Sequence, residues 1–221
     1  PIWVDITEYV ATVFTSMALH KNAVHLVVNV TYLWLFGCLV EDALGRAEYL
    51  LFYIGSGIAG MLAYIAVVRY LLPPGVDEPA VGASAAVAGI LGVFAIRFYR
   101  ARIKMLLIVP VALSAQWVLG VWVGVQMALA VASLVSHTGT GCWSHIGGFL
   151  FGIASGLLMR LGREADQEYL FEDARRNRSQ RNLRRAARDL GELLRDNPLD
   201  PQVYLELART FYQAGQIEAA G

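Results

Sequence analysis

Two residues carry the side chains needed for acyl transfer and stand where apolar helices begin. Ser84 lies in Gly82-Ala83-Ser84-Ala85, and His145 lies in Ser144-His145-Ile146-Gly147-Gly148. A serine hydroxyl attacks a carbonyl when a base takes its proton. An imidazole in hydrogen-bond reach does this and later returns the proton to the leaving amine. His25 and Asn29 are four residues apart, on one face of a helix. Their side-chain donors, with the free amides at the start of the helix carrying Ser84, would hold a developing oxyanion. No membrane carboxylate is placed to orient His145, so a Ser-His dyad is expected rather than a triad.

Each of these residues alone has a plainer role. A Gly-x-Ser most often caps or packs a helix, a lone membrane histidine most often bonds a neighbouring helix, and His25 with Asn29 would tie helices together. Metal binding is not expected, because His20, His25, His137 and His145 have no Cys, Asp or Glu beside them at ligand spacing. No cofactor is implied. Coincidence argues for chemistry: the four candidate residues come from three apolar segments and share one depth.

That depth follows from the elements that must position them. The chain is 57% hydrophobic and 16% charged, against roughly 25% charged in soluble domains, and its apolar residues come in long runs. A spanning helix needs about 20 of them. Five segments qualify, at residues 23–40, 49–72, 84–99, 114–135 and 143–161. Residues 103–111, interrupted by Pro110, are too short to span and read as an interfacial connector. Arg46, the group Arg97, Arg100, Arg102 and Lys104, and the Arg-rich tail fall on one side, which is then cytoplasmic. The loop with Asp77 and Glu78 and the loop with His137 fall outside. Arg69, near an outer helix end, can snorkel. Ser84, His145, His25 and Asn29 then lie in the outer half of the membrane. Polar groups there are expensive and tend to be functional.

Small residues let these helices meet. Ser84, Ala88 and Gly92 form one row and Ala85 with Gly89 the next, while Gly148, Gly152 and Gly156 repeat a small-xxx-small spacing. After Gly162 the chain becomes dense in Arg, Glu and Asp. Leu183, Ala187, Leu190 and Leu194 mark a helix broken by Asn197-Pro198-Leu199-Asp200-Pro201. A second helix follows, with Leu205, Ala208, Phe211 and Tyr212 on its apolar side and Gly215 at its end. The pair reads as a truncated tetratricopeptide-type repeat or as a plain amphipathic helix pair. Equal numbers of basic and acidic residues, 18 each, make the total uninformative about partners; no nucleic acid is expected as one. Cys38 and Cys142 are too few for a disulfide framework. With Pro1 first and an unfinished repeat last, the chain reads as a fragment.

On these residues the sequence resembles the rhomboid intramembrane serine proteases. The resemblance covers residues 15–160 and rests on His25-x-x-x-Asn29, Gly37, Glu41, Leu44-Gly45, Gly82-Ala83-Ser84, Gly89, Gly92, and His145 with Gly148 and Gly152. It implies Ser84 as nucleophile, His145 as general base, and His25 and Asn29 on the oxyanion side. It also implies His20 near the site mouth and Glu41 tying helix ends near the cytoplasm, with Gly82, Gly89, Gly148 and Gly152 as structural support. Two positions depart from the family pattern: Ala85 stands for a glycine, and Ala88 for an aromatic residue that stacks on the histidine.

The expected fold is all-α, a polytopic membrane bundle with a small helical tail. Residues 1–22 are expected to be part of an outer loop, 23–162 the catalytic domain without its first helix, and 163–221 a cytoplasmic tail. The expected function is cleavage of single-span membrane proteins within the lipid bilayer, with the site open to the extracytoplasmic side of a bacterial inner membrane. A peptide or protein partner is expected for the tail. The rivals are an inactive relative that binds membrane clients and a small transporter using His25, Asn29 and His145 as a polar relay.

Overall fold

A computed structural model describes residues 6–73, 81–106, 110–138 and 141–215. The acidic loop residues Asp77 and Glu78 and the last six residues lie outside them. The chain divides into two compact units, Pro1–Leu161 and Gly162–Gly221.

The first unit begins with α1 (Ile6–Ala18). Next come α2 (Ala23–Tyr32), a π-helical turn (Leu33–Gly37) and α3 (Cys38–Leu44), one continuous apolar rod of 22 residues. Gly45, with φ at +88°, makes the turn into α4 (Arg46–Tyr70). Across that turn the Gly45 amide donates to the Glu41 carbonyl at 2.7 Å. The Glu41 carboxylate lies 3.5 Å from Arg46 Nε, an exposed pair of the kind worth under about 1 kcal/mol.

Then come α5 (Ser84–Arg97), the strands β1 (Arg102–Leu106) and β2 (Pro110–Ser114), α6 (Ala115–Ser136) and α7 (Cys142–Leu158). The stretch expected as a connector is thus an antiparallel hairpin, with Arg102 opposite Ser114 and Leu106 opposite Pro110. The alternation Arg102-Ile103-Lys104 carries the two-residue period of a strand. Pro110 sits at the strand start, where a missing N–H is tolerated.

The rod Ala23–Leu44, α4 and α6 are long and apolar enough to cross a bilayer. The protein is a multi-pass membrane protein built as a helical bundle. Helix α5 has only 14 residues, about 21 Å at 1.5 Å per residue, against a hydrocarbon core of about 30 Å. It is apolar all round and buried along most of its length, as a helix enclosed by others must be. Even Arg97, in its last turn, is 8% exposed, with its guanidinium 5.2 Å from the Phe98 ring centre. Its most extensive packing is against α7, and α4 packs on both. Glycines set how closely these helices meet. A Cβ on Gly148 would strike the Ala85 carbonyl and one on Gly152 the Gly89 carbonyl, while Gly89 accommodates the Ser56 hydroxyl. The extra methyl of Ala85 faces Gly60 of α4, whose own Cβ would lie 2.7 Å from it. The space that Ala85 requires is provided by the glycine opposite.

Gly152→Val should therefore force α5 and α7 apart, since backbone cannot yield as a side-chain tip does. The thermal midpoint of the detergent-solubilised protein should fall by several degrees or the protein should aggregate, overpacking costing about 1–3 kcal/mol or more. Gly120→Val on α6, where a Cβ meets nothing within 4 Å, is the control. Equal midpoints for the two variants would show that this close approach does not hold the bundle together.

The second unit comprises α8 (Leu161–Ser179), which starts at the boundary, α9 (Leu183–Asp196) and α10 (Pro201–Gln213). Its core is Ala174, Leu190, Leu193 and Val203, with Leu170, Phe171, Leu194 and Leu207 against it. The apolar side expected for the last helix needs correction. Leu205 and Tyr212 are 52% and 68% exposed, and the inward stripe is Val203, Glu206 and Thr210. Glu206 is buried because Arg178 and Arg209 each reach its carboxylate at 2.9 Å, so a charged residue occupies the core stripe.

Candidate active site

The site forms where α5 and α7 start. Ala83 turns the chain into α5, and the Val87 amide makes the first helical bond, to the Ala83 carbonyl at 2.9 Å. The amides of Ser84, Ala85 and Ala86 are left outside the ladder. Just before them, Gly82 has φ at +119°, a conformation that favours glycine. Its amide donates to the Ser16 carbonyl of α1 at 2.7 Å, and a Cβ there would lie 2.6 Å from His25 Cε1. The glycine therefore lets the Ser84 loop lie directly on the His25 imidazole.

His145, the fourth residue of α7, reaches across to α5. Its Nε2 is 2.8 Å from Ser84 Oγ, so the hydroxyl can donate its proton straight to the ring. On the other side of the imidazole, Nδ1 is 3.0 Å from Oε1 of Gln126, on α6. Trp122, one turn before Gln126, has its ring centre 6.4 Å from that of His145, tilted by 34°. Neither residue was anticipated from the sequence. Gln126 nevertheless carried a signal, as a lone carboxamide near the middle of a 22-residue apolar helix. Ala88 is fully buried and brings no ring to His145.

A cavity of about 180 Å³ opens beside the dyad, lined by Ser84, His145, His25, Lys21 and Tyr64 among others. His25 is thus brought to the same space as Ser84. Asn29, one turn further along α2, does not line that cavity. It is 4% exposed, and its amide nitrogen has no partner among the described residues. His20 pairs with His25 edge to face at 5.3 Å and has Nδ1 3.1 Å from the Ala18 carbonyl, which makes that nitrogen the donor. Its Nε2 is buried and has no partner among the described residues. The supporting glycines Gly82, Gly89, Gly148 and Gly152 all lie at close approaches. Glu41 is part of the α3–α4 turn. Among the described residues, no three of His, Cys, Asp or Glu gather closely enough to hold a metal ion.

A Rhomboid domain family model matches residues 7–162. Presenilin-associated rhomboid-like protein A, mitochondrial, of Danio rerio is 28% identical over 141 residues, 61% of this chain and 33% of that protein. Rhomboid protein 1, mitochondrial, of Saccharomyces cerevisiae is 31% identical over 146 residues, 62% of this chain and 38% of that one. YdcA of Bacillus subtilis, which its name places provisionally among the rhomboid proteases, is 39% identical over 80 residues, 36% of this chain and 37% of its own length. The chain spans little more than a third of the length of these curated relatives. No solved structure matches it.

Proposed function

The chain belongs to the rhomboid family, and on that premise we propose that it is an intramembrane serine endopeptidase with Ser84 as nucleophile and His145 as general base. The observation that carries this reading is the 2.8 Å contact between His145 Nε2 and Ser84 Oγ, made by side chains from two helices 61 residues apart. In the reaction, Oγ attacks the scissile carbonyl carbon as its proton passes to Nε2. The resulting oxyanion is held by the free amides at the start of α5, with His25 and Asn29 as further donors. The C–N bond then breaks, the imidazolium returns its proton to the amine, and water, deprotonated by the same ring, releases the acyl group from Ser84.

Substrates in this reading are single-pass membrane proteins. A membrane helix hides its carbonyls in its own hydrogen bonds, so the cut falls where the helix unwinds. Water enters from the extracytoplasmic side through the cavity near Lys21, and the second unit is cytoplasmic. In a bacterial cell the membrane is the inner one. A protein or peptide partner binds the second unit, whose helix pair is tetratricopeptide-like.

The test is labelling of the detergent-solubilised protein by a fluorophosphonate, with the modified residue mapped, together with cleavage of a model single-span substrate. Modification of Ser84 and cleavage are expected. A folded protein that does neither would favour a client-binding relative without proteolysis.

Asn29→Ala should lower kcat by at most about 10²–10³-fold, the cost of losing one oxyanion donor, because backbone amides share that load. The check is kcat/KM beside that of His145→Ala. If Asn29→Ala costs as much while the protein stays folded, the assignment of roles is wrong.

A further inference from the structure

We propose that Gln126 is the positioning residue of this site, its carboxamide oxygen fixing which nitrogen of His145 carries the proton; the inference rests on the serine-hydrolase reading above. A neutral imidazole has one N–H and one bare nitrogen. Ser84 can be deprotonated only by a bare Nε2, so the resting proton must sit on Nδ1. In water both tautomers are accessible. Here Oε1 of Gln126, which can only accept, stands 3.0 Å from Nδ1. It favours the Nδ1–H form, and that leaves Nε2 free to accept from Ser84 Oγ at 2.8 Å.

The placement of Gln126 is built into α6. The face of this helix that meets the bundle runs through Ala115, Leu119, Trp122, Gln126, Ala130 and Ser133. Gln126 is the long polar residue of that stripe. Trp122 lies against the same imidazole from one turn away and also against Phe149 of α7 at 5.7 Å. The ring is thus held by its plane and by Nδ1 from one neighbouring helix. Among the described residues lining the cavity, the other ionisable groups are Lys21, His25 of α2 and Tyr64 of α4, and none of them is the partner of Nδ1. Unlike the aspartate of a soluble triad, Gln126 carries no charge. It orders the proton without an ion pair, which suits a site in a membrane, where an unpaired carboxylate is costly.

The experiment uses the whole chain in detergent and reads the rate of fluorophosphonate labelling at Ser84, together with kcat and KM for a model substrate. Gln126→Met keeps the size and removes the acceptor. Its labelling rate and kcat should fall about 10–10²-fold with KM little changed, less than the ~10⁴-fold loss of a triad aspartate, and with the thermal midpoint kept. Gln126→Glu retains an acceptor, and as carboxylate it is acceptor only, so it should restore labelling to near the parent rate. If Gln126→Met labels as fast as the parent, Gln126 does not position the base. If Gln126→Met and Gln126→Glu are folded and equally slow, amide shape rather than acceptance matters, and the proposal is overturned. If the parent itself is not labelled at Ser84, the hydrolase reading falls and this inference with it.

Discussion

Ser84→Ala is expected to abolish turnover and leave the bundle folded. The substitution removes one oxygen from a half-buried side chain at the first position of α5, where the described contact of that oxygen is the bond to His145 Nε2. The methyl group left behind fits a helix start that already runs Ala83, Ala85, Ala86. The fold therefore loses about one hydrogen bond, worth roughly 1 kcal/mol. The chemistry loses its nucleophile, and in a soluble serine protease that single change costs about 10⁶-fold in kcat. Cleavage of a model substrate should fall below detection and fluorophosphonate labelling should vanish, with the thermal midpoint within a few degrees of the parent. Cleavage by the variant at a comparable rate would end the protease reading.

His145→Ala should be the second most damaging change. A positioned general base contributes about 10²–10⁴-fold, and here the same ring must also protonate the leaving amine. The loss should appear in kcat and in the labelling rate, because an apolar gap beside Ser84 does not hinder a substrate from docking in the cavity. The change also removes the ring that links α5 to α6, and Gln126 loses its partner. The variant should therefore be less stable than Ser84→Ala by about 1–3 kcal/mol, the cost of an unsatisfied half-buried group. A variant that keeps more than about a tenth of parent kcat would remove His145 from the role of base.

How far the site could be read from sequence differs between its parts. Ser84 and His145 follow two loops and open two apolar segments, so a depth argument places them together without knowing any contact. The rows ending in Gly92 and Gly156 say that the two helices can touch, and they do so at the backbone. Gln126 is harder to read because a carboxylate is the usual orienting group, whereas an amide in a membrane helix can accept the same proton without charge. The strand pair of β1 and β2 is hard to read because apolar length dominates there, and only the short Arg102-Ile103-Lys104 alternation marks a strand. On α10 the apolar residues mark the wrong face. Two arginines meeting Glu206 make a buried carboxylate tolerable, and no count of apolar spacing contains that pairing.

The brevity of α5 has a consequence for where such a protein can work. Membranes of one cell differ in thickness by several ångströms, and a spanning helix answers mismatch by tilting or by deforming the lipid around it. Helix α5 is enclosed by its neighbours, so this stress does not reach it directly. Helices α4, of 25 residues, and α6, of 22, are long enough to cross a bilayer, and each keeps an outward face with exposed side chains such as Leu51 and Leu62 or Val121 and Val131. A thicker or thinner bilayer would act first on these outward helices rather than on α5. One of them, α6, holds the glutamine against His145. On the role proposed above for Gln126, a bilayer that shifts α6 would act on the proton of His145 rather than on the helix that carries Ser84.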